Sequence, residues 1–182
     1  LLTGIAGRQG SGLYLCGEKS NSQGAIDLGI LPGNDGMGTQ QMLAAAADDN
    51  LKALYVVGED LVSSYPDRTA VEKALNRVPF LVVQDLFLSP TAQKAHVVLP
   101  AASFAEKEGT FTNTERRVQL VRRAIAPVGE SRPDMDIITA LSEKLGYPMP
   151  YASAAEVMEE IALLTPIYAG MFYDRLAPWG LQ

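Results

Sequence analysis

Phe80-Leu81-Val82-Val83-Gln84-Asp85, followed by Ser89-Pro90-Thr91-Ala92 and then His96-Val97-Val98-Leu99-Pro100, is the stretch from which the fold is read. Phe80 to Val83 is a short run of β-branched and aromatic residues, the composition of a buried strand. Gln84-Asp85 falls at its carboxyl end. Ser89-Pro90 reads as an N-cap followed by proline at the first helical position, so a short helix is predicted over 90–95. His96 to Leu99 reads as a second apolar strand, which Pro100 stops because proline cannot donate to a sheet ladder. Strand, helix and strand form a parallel, right-handedly connected βαβ unit. Ligands of such sheets sit at the carboxyl ends of strands, which singles out Gln84, Asp85 and the residues after Pro100.

Upstream the pattern repeats. Met37 to Asn50, Ala-rich over Leu43 to Ala47, reads as a helix over 38–49 with Asn50 as its cap. Ala53 to Val57 reads as a strand that ends in Gly58-Glu59-Asp60, again polar residues at a carboxyl end. Ser64 to Asp67 opens a helix over 67–77, with Val71, Leu75 and Val78 at helical spacing. The alternation predicts an α/β fold: an open, mostly parallel, doubly wound (Rossmann-like) sheet flanked by helices. Residues 4–38 are rich in glycine and read as a long coil, interrupted by Leu13, Tyr14, Leu15, Ile26, Leu28, Ile30 and Leu31. Gly7, Gly10 and Gly12 match no dinucleotide fingerprint or phosphate loop, because no strand precedes them.

Downstream, Gly109 can turn the chain and Phe111 to Val121 alternates partly like a strand. Arg116, Arg117, Arg122 and Arg123 crowd this stretch. They read either as a solvated face pairing with Glu106, Glu108 and Glu115, or as a cluster that holds phosphates or a partner's carboxylates. Arg132-Pro133-Asp134 starts a helix that Gly146 closes, with Ile137, Ile138, Leu141 and Leu145 expected inward. Ser153 to Glu156 is a capping box opening a further helix, with Val157, Ile161 and Leu164 inward. Trp179 marks a tail that docks, or one that packs against a segment of a longer parent.

The chain has 182 residues, 47% hydrophobic and 20% charged, an ordinary globular composition. A formal net charge of −6 argues against non-specific binding to nucleic acid or an anionic membrane. No apolar run approaches the roughly 18–20 residues of a spanning helix, so direct membrane insertion is not expected. Cys16 and His96 are the only residues of their types. They leave no intrachain disulfide, no thiolate iron–sulfur cage and no zinc site, so no metal ligands are expected here. The whole is read as one α/β domain over 1–182: a Gly-rich coil at 1–37, an α/β core at 38–124 and a helical part at 125–182. The opening Leu1-Leu2-Thr3-Gly4 reads as cut from a longer chain.

Taken in order, several motifs resemble the molybdopterin oxidoreductases. They are Gly58-Glu59-Asp60, Val83-Gln84-Asp85-Leu86-Phe87-Leu88-Ser89-Pro90-Thr91-Ala92, Ala95-His96-Val97-Val98-Leu99-Pro100-Ala101, and Glu106-Lys107-Glu108-Gly109-Thr110-Phe111-Thr112-Asn113-Thr114-Glu115-Arg116-Arg117-Val118-Gln119. Leu1 to Gly4 and Asn21-Ser22-Gln23-Gly24-Ala25 resemble that family's approach to its central domain. The likeness spans about residues 1–176. It is nearest to the formate dehydrogenase alpha subunits and to the large subunit of NADH-quinone oxidoreductase.

The resemblance implies a central piece of a larger oxidoreductase subunit, whose iron–sulfur cysteines and Mo ligand lie N-terminal to it and whose closing barrel lies C-terminal. It implies no catalytic residue in this piece and no activity of the piece alone. The family's cofactor is molybdopterin guanine dinucleotide, which some members of the NADH-quinone oxidoreductase branch have lost. Carried over residue by residue, its candidate contacts are Gly58, Glu59, Asp60, Gln84, Asp85, Thr91, Asn21 and Gln23. One departure stands out: formate dehydrogenases usually have Asp where this chain has His96, and that histidine resembles the NADH-quinone oxidoreductase large subunits. The leading expectation is therefore a module of an NADH dehydrogenase complex taking part in electron transfer; the alternative is the cofactor-binding domain of a formate dehydrogenase. Expected partners are other subunits of a redox complex and the remaining domains of the parent protein, with no nucleic acid. The expected location is cytoplasmic, with any membrane association through partner subunits.

Overall fold

In a computed structural model of the chain, residues 4, 5, 7–11, 17, 19–33 and 36–182 are described. The readings placed on residues 1–3, on residues 12–16 and on Cys16 as a lone thiol lie outside them. In chain order the elements are α1 (Ser22–Asp27), α2 (Thr39–Ala47), β1 (Ala53–Val57), α3 (Leu61–Ser64), α4 (Arg68–Leu75), β2 (Phe80–Asp85), a 3-10 turn (Ala92–Lys94), β3 (Val97–Pro100), β4 (Gly109–Thr112), β5 (Val118–Val121), α5 (Asp134–Lys144), α6 (Ala154–Leu164), a 3-10 turn (Pro166–Tyr168) and α7 (Tyr173–Leu176).

The contacts divide the chain into two compact units. One comprises Leu31–Glu108 and Arg122–Ala152, the other Leu1–Ile30, Gly109–Val121 and Ser153–Gln182.

The first unit holds a parallel sheet in the order β1-β2-β3. Tyr55 faces Val82, and Val57 faces Gln84, across β1 and β2; Gln84 faces Leu99, and Asp85 faces Pro100, across β2 and β3. Alternate strand residues Val56, Leu81 and Val83 pack with Leu43 and Ala46 of α2, Leu61 and Val62 of α3, and Val71, Ala74 and Leu75 of α4. The α/β expectation is met: a parallel sheet with helices packed on it. Asp67 caps α4, accepting from the Ala70 N–H at 2.9 Å.

Several boundaries differ from the sequence reading. The helix expected over 90–95 is a single 3-10 turn: the Lys94 and Ala95 N–H groups donate to the Thr91 and Ala92 carbonyls, three residues back, and Ala95 is already extended. The left-handed residue after α2 is Asp49 (φ 60), not Asn50. In α5 only Ile137 of the expected core residues is buried; Ile138, Leu141 and Leu145 are exposed.

In the second unit β4 and β5 are an antiparallel hairpin, not one strand over 111–121. Asn113 closes its turn: the Asn113 side chain accepts from the N–H groups of Glu115 and Arg117, and Arg116 adopts φ 63. Val118, Met158, Tyr168 and Leu176 form this unit's core. In α6 the buried residues are Met158 and Ala162, while Leu164, expected inward, is exposed. The tail docks through the backbone: Leu181 pairs with Val118, and Gly180 lies so close that a Cβ there would clash with the Val118 carbonyl oxygen. The Trp179 side chain is 81% exposed, so docking does not use it. Among the described residues no helix is long and apolar enough to cross a membrane, and no group of three or more His, Cys, Asp or Glu could hold a metal ion.

Candidate functional site

The carboxyl ends of β1 and β2 meet at one rim. The Gly58 N–H donates to the Gln84 carbonyl at 2.8 Å, and Gly58 adopts φ 62, which a glycine reaches without a Cβ penalty. Nothing lies within 4 Å of where its Cβ would be, so the turn is open on that side. From this turn Asp60 reaches the loop after β2. Its Oδ1 accepts from the Thr91 N–H at 3.1 Å and from the Thr91 hydroxyl at 2.6 Å. That hydroxyl in turn accepts from the Val62 N–H at 3.0 Å. Burial pushes the Asp60 carboxyl up, but the donors of Ser63 and Thr91 outweigh it and hold it below the usual carboxylate range. Asp85 closes its own turn: one oxygen accepts from the Leu86 N–H at 2.7 Å, the other from the Ser89 hydroxyl at 2.9 Å.

Gln84 is fully buried and its amide is used internally. The Tyr55 hydroxyl donates to Gln84 Oε1, and Gln84 Nε2 donates to Asp134 Oδ1 at 2.5 Å. Asp134 Oδ2 is paired with Lys107 Nζ. Burial, and then the Asp134 charge, push the Tyr55 phenol up. This chain of bonds ties the start of α5 to the sheet. Sequence patterns did not reveal it, since Tyr55, Lys107 and Asp134 are far apart in the chain and each has an ordinary local reading.

The structure thus brings six of the eight expected residues to one rim: Gly58, Glu59, Asp60, Gln84, Asp85 and Thr91. Gln84 and Thr91 have no exposed surface. The other two, Asn21 and Gln23, belong to the second unit. Asn21 Oδ1 accepts from the Thr112 N–H at 2.8 Å, and Gln23 Nε2 donates to Asp27 at 2.7 Å. Asp27 is also 3.6 Å from the Arg116 guanidinium and accepts from the Tyr168 hydroxyl at 3.4 Å. Arg116 therefore faces Asp27, not the glutamates expected to neutralise it. Glu106 instead clasps two loops of the first unit, accepting from the Ser103 and Val128 N–H groups at 2.7 and 2.9 Å.

His96 has a structural job. Its Nδ1 accepts from the Leu81 N–H at 2.9 Å, while its backbone N–H donates to the Leu81 carbonyl at 2.8 Å.

Residues 1–144 match the molybdopterin oxidoreductase family. The chain belongs to that family. It is 42% identical over 209 aligned residues to the F420-dependent formate dehydrogenase subunit alpha of Methanocaldococcus jannaschii, covering 100% of this chain and 31% of that protein. It is 40% identical to the probable oxidoreductase YjgC of Bacillus subtilis, covering 97% of this chain and 21% of that protein. A putative formate dehydrogenase of Staphylococcus haemolyticus is 37% identical over the same shares. This molybdopterin oxidoreductase domain therefore spans less than a third of the curated relatives it matches, and is part of a larger protein. The acetylene hydratase of Pelobacter acetylenicus has the same fold over 75% of this chain and 19% of its own, at a TM-score of 0.62 and 22% identity. The relatives' names favour the formate dehydrogenase reading over the NADH-quinone one. His96 does not weigh against that, since an Asp carboxylate could accept the same Leu81 N–H.

Proposed function

We propose that this domain holds the guanine end of molybdopterin guanine dinucleotide in the catalytic subunit of a formate dehydrogenase-type oxidoreductase. The observation that carries the reading is the convergence of the β1 and β2 turns, with Asp60 bound to Thr91 and Asp85 locked by Ser89 at one rim. The donor set fits the group. Guanine offers an N1–H and an exocyclic amine, and a strand-end carboxylate can accept both. Gly58, Glu59 and Asp85 meet the ligand. Asp60, Gln84 and Thr91 frame it, because Gln84 and Thr91 have no exposed surface and Asp60 holds Thr91, whereas the part-exposed Asp85 keeps for the ligand the lone pairs that Leu86 and Ser89 leave free. Asn21 and Gln23 contribute by holding their own unit's hairpin and helix in shape. When bound, the molybdenum–pterin group supplies the two-electron exchange with substrate. This domain binds and orients it, and other subunits carry the electrons onward.

The test is the guanine nucleotide content of the full-length polypeptide, hydrolysed in acid and quantified by chromatography. At least one guanine nucleotide per polypeptide is expected. A purified, active polypeptide that releases none refutes the reading.

A further inference from the structure

Leu86, Phe87 and Leu88 are three consecutive apolar residues that stand 48%, 77% and 65% exposed in the turn after β2. A run of that kind on a surface marks a place of contact. The backbone beneath it is fixed at several points. Asp85 Oδ1 accepts from the Leu86 N–H at 2.7 Å, and the Ser89 N–H donates to the Phe87 carbonyl at 2.8 Å. The Ser89 hydroxyl donates to Asp85 Oδ2 at 2.9 Å and accepts from the N–H of the buried Ala92 at 3.3 Å. These bonds hold Phe87 at the tip of the turn without using its ring in the core. The turn leaves the sheet at its carboxyl edge: Asp85 faces Pro100, and the Asp85 carbonyl accepts from the Ala101 N–H at 3.0 Å. That edge is where parallel sheets bind their ligands.

We propose that the Phe87 ring stacks on the face of the guanine base whose edge Asp85 meets. The proposal rests on the reading of the rim as the guanine site. A purine offers two surfaces of different chemistry. Its edge carries the N1–H and the exocyclic amine, which a carboxylate accepts; its flat π face packs on an aromatic plane. Asp85 supplies the first partner, and Phe87, two residues on in the same locked turn, supplies the second. Phenylalanine suits the place because its ring has no polar atom to leave unpaired when the base covers it. The hydrogen bonds at Asp85 and Ser89 order the turn before any ligand arrives, so binding loses little chain entropy there. Leu86 and Leu88 add apolar surface that keeps water from the carboxylate–base bonds, which strengthens them. The stack also favours a base of two rings, whose overlap with Phe87 is larger than a pyrimidine's.

The test is the guanine nucleotide that full-length variants retain after purification at limiting cofactor, released in acid and quantified by chromatography. Phe87→Ala is expected to retain roughly 5- to 150-fold less per polypeptide than wild type, the range for losing one base–aromatic stack. Phe87→Tyr and Phe87→Trp are expected to retain wild-type amounts. Phe87→Leu keeps an apolar side chain without a π face and is expected to fall with the alanine variant. Undiminished guanine in Phe87→Ala or in Phe87→Leu overturns the proposal. Phe80→Ala removes a 49% exposed ring from the opposite end of β2 and is expected to retain as much as wild type; a loss equal to that of Phe87→Ala overturns the proposal too. Wild type that releases no guanine nucleotide refutes the reading of the rim and this proposal with it, whereas guanine in wild type that is undiminished in Phe87→Ala refutes the stack alone.

Discussion

Replacing Thr91 with valine removes a hydroxyl and keeps the side chain's shape, so it isolates the bond that holds the two rim turns together. The hydroxyl donates to Asp60 and accepts from the Val62 N–H, and it has no exposed surface. Val62 is 2% exposed, so in Thr91→Val its N–H has neither protein nor water as acceptor. A buried donor left unsatisfied costs about 1–3 kcal/mol. Asp60 is half-buried and can take water in place of Thr91, so its share is small. The assay is native-state hydrogen exchange at Val62. Opening made easier by 1–3 kcal/mol speeds exchange roughly 5- to 150-fold. Thr91→Ser keeps the hydroxyl and loses one methyl, about 0.8 kcal/mol, so its exchange rises no more than about fourfold. If the two variants exchange Val62 at the same rate, the hydroxyl is not what ties the turns, and the description of the rim fails.

Other outcomes follow from the same geometry. His96→Ala strips the acceptor from the fully buried Leu81 N–H and is expected to destabilise the first unit by about 1–3 kcal/mol in thermal melts, whereas His96→Asn or His96→Asp recovers most of it. Gly180→Ala places a Cβ against the Val118 carbonyl at φ 76, so the tail undocks and is expected to be clipped by protease faster than wild type. Hydrogen bonds from Ser103, and less so from Val128, depress the Glu106 carboxyl, and donors from Ser63 and Thr91 depress that of Asp60. Both groups have folded pKa values below their unfolded ones. Their contribution is therefore full above about pH 4 and lost as pH falls through the depressed values. Melting curves from pH 7 downward are expected to fall more shallowly below about pH 4 for Glu106→Gln than for wild type.

Much of the first unit was legible in the sequence. β1 fell where Ala53 to Val57 predicted it, and β2 began at Phe80 as read. Alternation of apolar strands with helical spacing was enough to put Gly58 to Asp60 and Gln84-Asp85 at one rim. What was not legible shares a physical cause: it depends on partners distant in the chain or on elements too short for periodicity. α3 is four residues long, less than two turns, so Leu61 to Ser64 carries no recognisable spacing. α1 hid within a glycine-rich run. The hairpin turn required Arg116 at positive φ, a conformation that an arginine does not advertise. Gln84 and Thr91 read as ligand contacts because they sit at the right place. Only the folded structure shows that Tyr55, Asp134, Asp60 and Val62 consume their polar atoms. The apolar residues Ile138, Leu141 and Leu145 read as core because periodicity reports an apolar stripe and does not say what covers it.

In the proposed function Asp85 is the carboxylate that meets a guanine base, and Asp60 and Thr91 are its frame. The most direct measurement is the guanine nucleotide retained by full-length Asp85→Ala after purification, relative to wild type. Two hydrogen bonds from one base to one carboxylate are worth about 1–3 kcal/mol, so retention at limiting cofactor is expected to fall at least about fivefold while the protein stays folded. Undiminished guanine in Asp85→Ala contradicts the account.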